Sequence, residues 1–180
     1  VQCDRYTESA IFWKRGIKAT KVDSNLNKKF PKILTQCIEI ENELLIIHPY
    51  IPPQTKRKTR EQYWTNLLVF TNQWSETNPE HKIFITGDLN TTDKRLGIYH
   101  LDEYRYFDQV TAAFEIISNR KVVTRGNNTL DVALGNTIAK ENVSFWKVLD
   151  KLSSDHCPTL CELRMNQNLY RNGNRKPKET

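Results

Sequence analysis

The stretch FITGDLNTTD, residues 84–93, sets a short apolar run directly before Gly87, Asp88, Leu89 and Asn90, with nothing basic until Lys94. Together with residues 81–83 it reads as a short buried strand, HKIFITG. Asp and Asn just past a strand are ordinary turn formers, since their side chains bond to nearby backbone. They are also the groups a polar site would place at the rim of a sheet. Other strand ends decide between the two readings.

Upstream, TREQYWTNLLVFTNQWSET (59–77) carries Tyr63, Trp64, Leu67, Leu68 and Trp74 at helical spacing, with Thr59 as N-cap and Asn78-Pro79 as stop. KILTQCIEI (32–40) alternates as a strand with one better-buried face. ELLIIHPYIPP (43–53) reads as a strand from Glu43 to His48 that hairpins back on it. Pro49, Pro52 and Pro53 end the ladder there and leave Tyr50 in the following loop. Nearer the start, SAIFWKRGIKAT (9–20) opens with an apolar run, Ala10 to Trp13, and a turn at Gly16.

Downstream, residues 103–118 read as partly helical. TLDVALG (129–135), VSFWKVLD (143–150) and CPTLCEL (157–163) are then three strands of an antiparallel sheet. Strand, helix and strand in succession, finishing in a strand-rich stretch, predict a mixed α/β layered domain. From Asn166 onward no apolar period remains, and residues 166–180 read as a basic disordered tail.

The chain has 180 residues, 38% of them hydrophobic and 10% aromatic, enough for one domain with a packed core. No apolar run approaches the roughly eighteen residues of a membrane span, so no membrane partner is expected. Cys3, Cys37, Cys157 and Cys161 lack Cys-x-x-Cys spacing; Cys37 and Cys161 have hydrophobic neighbours and read as small buried thiols of a reducing, intracellular compartment. The net charge of +6 is uneven. Lys and Arg outnumber Asp and Glu twelve to six over residues 1–60 and four to one over 166–180, but are outnumbered eleven to fourteen over 61–165. A basic periphery around an acidic middle either draws a polyanion toward a cation-bearing centre or solvates exposed faces.

Asp88 and Asn90 follow one strand, Tyr50 follows another, Asp131 lies within TLDVALG, and Asp155-His156 precedes the last strand. Gathered at one edge, they make a pocket of three carboxylates, an imidazole, an amide and a phenol. Carboxylates hold a hard divalent cation, Mg²⁺ or Mn²⁺, when the substrate brings phosphate oxygens. An Asp131–His156 pair fixes an imidazole's tautomer and charge, and Asn90 is suited to positioning a water beside Asp88. Taken singly, each residue has an ordinary structural explanation; Asp131 is the hardest to dismiss, because a buried carboxylate needs a partner.

In order, IIHPYIPP, GDLN, TLDVALG and SSDHCPT resemble the endonuclease/exonuclease/phosphatase superfamily, the DNase I-like fold, over about residues 8–165. The resemblance implies a layered α/β sandwich of mixed, largely antiparallel sheets. It assigns water activation and transition-state positioning to Asp88 and Asn90, and makes Asp131 the partner of His156. It makes Asp155 a metal-side carboxylate and Tyr50 the phosphate-contacting phenol. VTRGNNTLDVALGN and DRYTESAIFWKRG are more narrowly similar to the endonuclease domains of non-LTR retrotransposons, whose Thr-Arg pair before the orienting Asp is matched by Thr124-Arg125. This narrower likeness implies a nuclear enzyme that nicks DNA, with Arg125 on the nucleic acid and a reverse transcriptase domain C-terminal to it in the full-length protein. Relatives begin with two strands that carry an Asn and a metal-binding Glu. Neither precedes the matching segment here, which implies a domain lacking its N-terminal strands, and Glu8 does not match the missing ligand. Phosphatases of inositol or lipid substrates share the machinery, and a DNA-binding remnant without catalysis is the third reading.

Lys56, Arg57, Lys58 and Arg60, in QTKRKTR, follow the Tyr50 loop at the head of the predicted helix. They read either as phosphate-backbone contacts or as a solvated loop.

Overall fold

The computed structural model describes residues 2–6, 9–90, 112–118, 123–126 and 130–165. Among these residues a six-stranded mixed sheet organises the chain. It is built from β3 (Ala19–Lys21), β4 (Leu34–Ile40), β5 (Leu44–Tyr50), β6 (Lys82–Asp88), β7 (Glu115–Ile116) and β8 (Asp131–Gly135), in the spatial order β3-β4-β5-β6-β8-β7. Its neighbours pair antiparallel except β5 and β6, which are parallel. A parallel pair needs a crossover, and α2 (Arg57–Thr77) provides it. β1 (Gln2–Tyr6) and β2 (Ser9–Trp13) form a separate hairpin, as do β9 (Val143–Val148) and β10 (Thr159–Leu163).

Period-two alternation gives the central strands two buried faces. Cys37, Leu45, Ile47, Ile83, Ile85, Val132 and Leu134 form one core with Leu26 of α1 (Leu26–Lys29) and with Tyr63, Trp64 and Leu67 of α2. Burying each large apolar side chain there contributes roughly 1.5–3 kcal/mol. Leu44, Phe84 and Ala133 face the other way and pack with Val143, Trp146, Cys161 and Leu163 of the β9–β10 hairpin. Helices, sheet and hairpin therefore stack as layers. Burial pushes the Cys37 thiol up to about 11, keeping it protonated as a core group. Cys37, Cys157 and Cys161 are free, and Cys161 is only half-buried.

Several boundaries depart from the sequence expectation. β5 continues through Pro49 to Tyr50, with Pro49 opposite Thr35 of β4. Its register with β6 covers only Leu44 to Ile47 and is followed by a separate backbone bond from the Ile51 N–H to the Asp88 carbonyl, so Pro49 falls in an irregular stretch of the ladder, where a sheet accepts proline. α2 starts at Arg57 with Lys56 as N-cap, which places Thr59 inside the first turn. β8 belongs to the main sheet, whereas β9 and β10 pair only with each other. Glu115 and Ile116 are strand rather than helix, and residues 103–111, like the tail 166–180, lie outside the described residues. No described helix is long and apolar enough to cross a membrane.

Candidate active site

Backbone stitching between β5, β6 and β8 explains why the polar residues meet. Asp88 is the last residue of β6 and lies opposite Asp131, the first of β8. The Leu89 N–H donates to the Leu130 carbonyl at 3.1 Å, and the Ile51 N–H donates to the Asp88 carbonyl at 3.0 Å. Gly87 is required at this point, because a Cβ there would overlap the Pro49 carbonyl oxygen, a backbone atom with little freedom to move. A larger residue would separate the ends of β5 and β6.

GDLN itself is a turn and a site at once. Asp88 Oδ1 accepts from the Asn90 N–H at 3.0 Å, and Asn90 adopts φ 41°, a left-handed conformation that Asn tolerates better than most residues. The Asn90 side chain donates from Nδ2 to the Ile51 carbonyl at 3.1 Å. The amide thus ties this turn to the residue after Tyr50 and does not line the cleft.

Asp88 Oδ2 has another neighbour, His156 Nε2, at 3.8 Å. His156 Nδ1 is 2.7 Å from Asp131 Oδ2. A carboxylate only accepts, so Nδ1 carries a proton and Nε2 is the nitrogen turned toward Asp88. The side chains of Asp88, Asp131 and His156 are 18%, 22% and 22% exposed, largely withdrawn from water yet reachable. Burial above all, then the Asp131 charge, raises the Asp88 pKa against the opposing Asn90 hydrogen bonds and His156.

Thr124 holds the two ends of this pair together. It is fully buried, and its Oγ1 accepts from the N–H groups of Leu130 at 2.9 Å and Asp131 at 3.1 Å. Its carbonyl accepts from the Cys157 N–H at 2.7 Å, and Arg125 forms a β-bridge with His156. One short segment therefore sets both the Asp131 backbone and the His156 backbone.

These residues line a cleft of about 530 Å³ between the main sheet and the β9–β10 hairpin. Tyr50, Asp88, Asp131 and His156, all expected in the site, lie on its wall. So do His48, Thr86 and Trp146, which motif reading did not single out. His48 and Thr86 share the strand parity of Tyr50 and Asp88, so alternation was the available signal.

Three expectations change. Asp155 is absent from the cleft wall and pairs with Arg125 at 2.7 Å, both side chains well exposed, so its carboxylate neutralises Arg125 at the rim. Arg125 is correspondingly held by that acid. Arg60 is buried, only 5% exposed, and cannot act as a surface cation. Its guanidinium donates to the carbonyls of Thr55 at 3.1 Å, Asn90 at 2.6 Å, Pro52 at 3.1 Å and Pro53 at 2.9 Å. Lys56, Arg57 and Lys58 are exposed, and Arg57 pairs with Glu61 at 2.6 Å along the helix.

Among the described residues no group of three or more His, Cys, Asp or Glu side chains converges as a cation cage. Asp131 is engaged by His156 and Asp88 Oδ1 by the Asn90 N–H, so a hydrated Mg²⁺ beside Asp88 would have to draw most of its shell from water and phosphate.

The layered mixed sheet with this site at its rim is the DNase I-like fold. The chain is similar to the endonuclease domain of TRAS1, a telomere-specific non-LTR retrotransposon, with a TM-score of 0.65 at 16% identity over 88% of this chain and 73% of that one. It is also similar to a mannosyl-6-phosphatase of Bacteroides thetaiotaomicron, with a TM-score of 0.53 at 15% identity over 74% of this chain and 57% of that one. No protein-family model and no curated protein sequence matches.

Proposed function

We propose that this protein is a metal-dependent phosphodiester hydrolase acting on DNA, an endonuclease of the retrotransposon type. The observation that carries the reading is the Asp131–His156 bond of 2.7 Å, with His156 Nε2 only 3.8 Å from Asp88 Oδ2 on one cleft wall. That gap is too long for a direct hydrogen bond and leaves room for an oxygen to bridge the two.

Asp131 orients the imidazole, and Nε2, when protonated, donates to the phosphoryl group as negative charge grows in the transition state. Asp88 accepts a proton from the attacking water, a task helped by the burial that raises its proton affinity. The Tyr50 phenol donates to a non-bridging oxygen. Asn90 acts from behind, by fixing the Asp88 carboxylate and the strand end that carries Tyr50. When bound, Mg²⁺ or Mn²⁺ would withdraw charge from the phosphoryl oxygens.

Mg²⁺-dependent nicking of supercoiled plasmid, abolished by EDTA, is the test. Release of phosphate from a soluble sugar or inositol phosphate without nicking would select a phosphatase, a reading favoured by the likeness to the mannosyl-6-phosphatase. Salt-sensitive DNA binding without either activity would select a binding remnant. The nuclease reading carries with it a nuclear site of action and a reverse transcriptase domain in the same polypeptide.

A further inference from the structure

His48 is a second imidazole in the cleft, and its orientation is fixed independently of His156. Its Nδ1 is 2.6 Å from the Thr86 carbonyl oxygen of the neighbouring strand. A carbonyl only accepts, so Nδ1 is the donor and Nε2 is the nitrogen left for a ligand. No hydrogen-bond partner of Nε2 occurs among the described residues. His48 shares the cleft with Tyr50 on its own strand, Asp88 of β6, Asp131 of β8, His156 and Cys161 of β10. A histidine held by a backbone carbonyl at one nitrogen and open at the other is prepared to meet a substrate.

We propose that His48 is a substrate-contacting residue whose Nε2 donates a hydrogen bond to a phosphate oxygen of the bound DNA, on the side of the cleft opposite the Asp131–His156 pair in strand order. This deepens the nuclease reading and rests on it. A phosphate oxygen only accepts, so in this contact Nε2 is the donor toward the phosphate while Nδ1 keeps its bond to the Thr86 carbonyl.

Two substitutions separate contact from scaffold. His48→Asn keeps a donor near the Nδ1 position for the Thr86 carbonyl but offers nothing where Nε2 was. His48→Gln places an amide nitrogen near the Nε2 position. In EDTA, with a short DNA duplex as probe and the full chain as protein, His48→Asn is expected to weaken binding about tenfold or more, as loss of a hydrogen bond to a charged group does, while His48→Gln recovers most of it. Imidazole ¹⁵N spectra of the unsubstituted protein supply the second readout: the His48 Nε2 signal shifts on adding duplex, whereas that of His81, just before β6, stays unmoved.

Wild-type affinity in His48→Asn, or a silent His48 beside a responding His156, would overturn the proposal and leave the nuclease reading standing. Absence of duplex binding, with neither cleft histidine responding, would overturn both.

Discussion

Arg60 Nη1 donates to the Asn90 carbonyl at 2.6 Å, while Asn90 Nδ2 reaches the Ile51 carbonyl at 3.1 Å. The guanidinium also gathers the carbonyls of Pro52, Pro53 and Thr55. The proline-rich turn after Tyr50 and the GDLN turn thus share one buried cation. Through it the α2 helix fixes the distance between the Tyr50 strand end and the GDLN turn.

Replacing Arg60 by Met removes the buried guanidinium from four carbonyls of partly or fully exposed residues. Among the described residues only that of Pro52 also accepts from a backbone N–H, that of Thr55. Replacing Arg60 by Lys provides a point charge that cannot span them. Arg60→Met is expected to cost roughly 1–3 kcal/mol in urea unfolding, with Arg60→Lys in between. Any nicking activity falls with the loosened turn. A loss under 1 kcal/mol would show that the clamp is dispensable.

How much of this was legible in the sequence depends on the kind of signal. The strand before Gly87 and the amphipathic helix could be read because apolar period and helix stop are local, and the ordered motifs brought Asp88, Asp131 and His156 into one hypothesis. Arg60 could not be read. QTKRKTR has the same composition whether its arginine faces DNA or turns inward, and only the position of Asn90, thirty residues later, decides it. The Arg125–Asp155 pair has the same origin, since a bridge between residues 125 and 156 carries no local pattern.

Thr124 offers a sharper test of the His–Asp geometry. Thr124→Val keeps shape and burial but strands the N–H groups of Leu130 and Asp131. The expected cost is roughly 1–3 kcal/mol for each unsatisfied buried group that finds no water, with an accompanying loss of nicking. Thr124→Ser restores the oxygen and should recover most of both. Equal behaviour of the Val and Ser variants in thermal melts and plasmid nicking would remove the hydroxyl from the argument.

Exposed Lys56 and Lys58 stand at the head of α2 beside the Tyr50 loop. If each neutralises one phosphate, Lys56→Ala and Lys58→Ala each reduce the slope of log K against log salt by about 1, irrespective of DNA sequence. Binding isotherms from 50 to 200 mM salt measure this. Unaltered slopes would return both lysines to the solvated surface.

Asp88 links catalysis to stability with a definite sign. Its folded pKa is raised, chiefly by burial and then by Asp131, so the folded protein holds that proton more tightly than the unfolded chain. Stability from this group is therefore greatest below the ordinary aspartate range, about 3.9, and declines as pH rises through the elevated folded value. Asp88→Asn removes the charge but keeps an oxygen for the Asn90 N–H. It should abolish nicking and, at neutral pH, raise the urea midpoint above that of the unsubstituted protein, with the difference closing as pH falls below about 4. A variant less stable at neutral pH, or a gain that does not vary with pH, would mean that His156 and the turn compensate the buried charge more fully than its surroundings indicate.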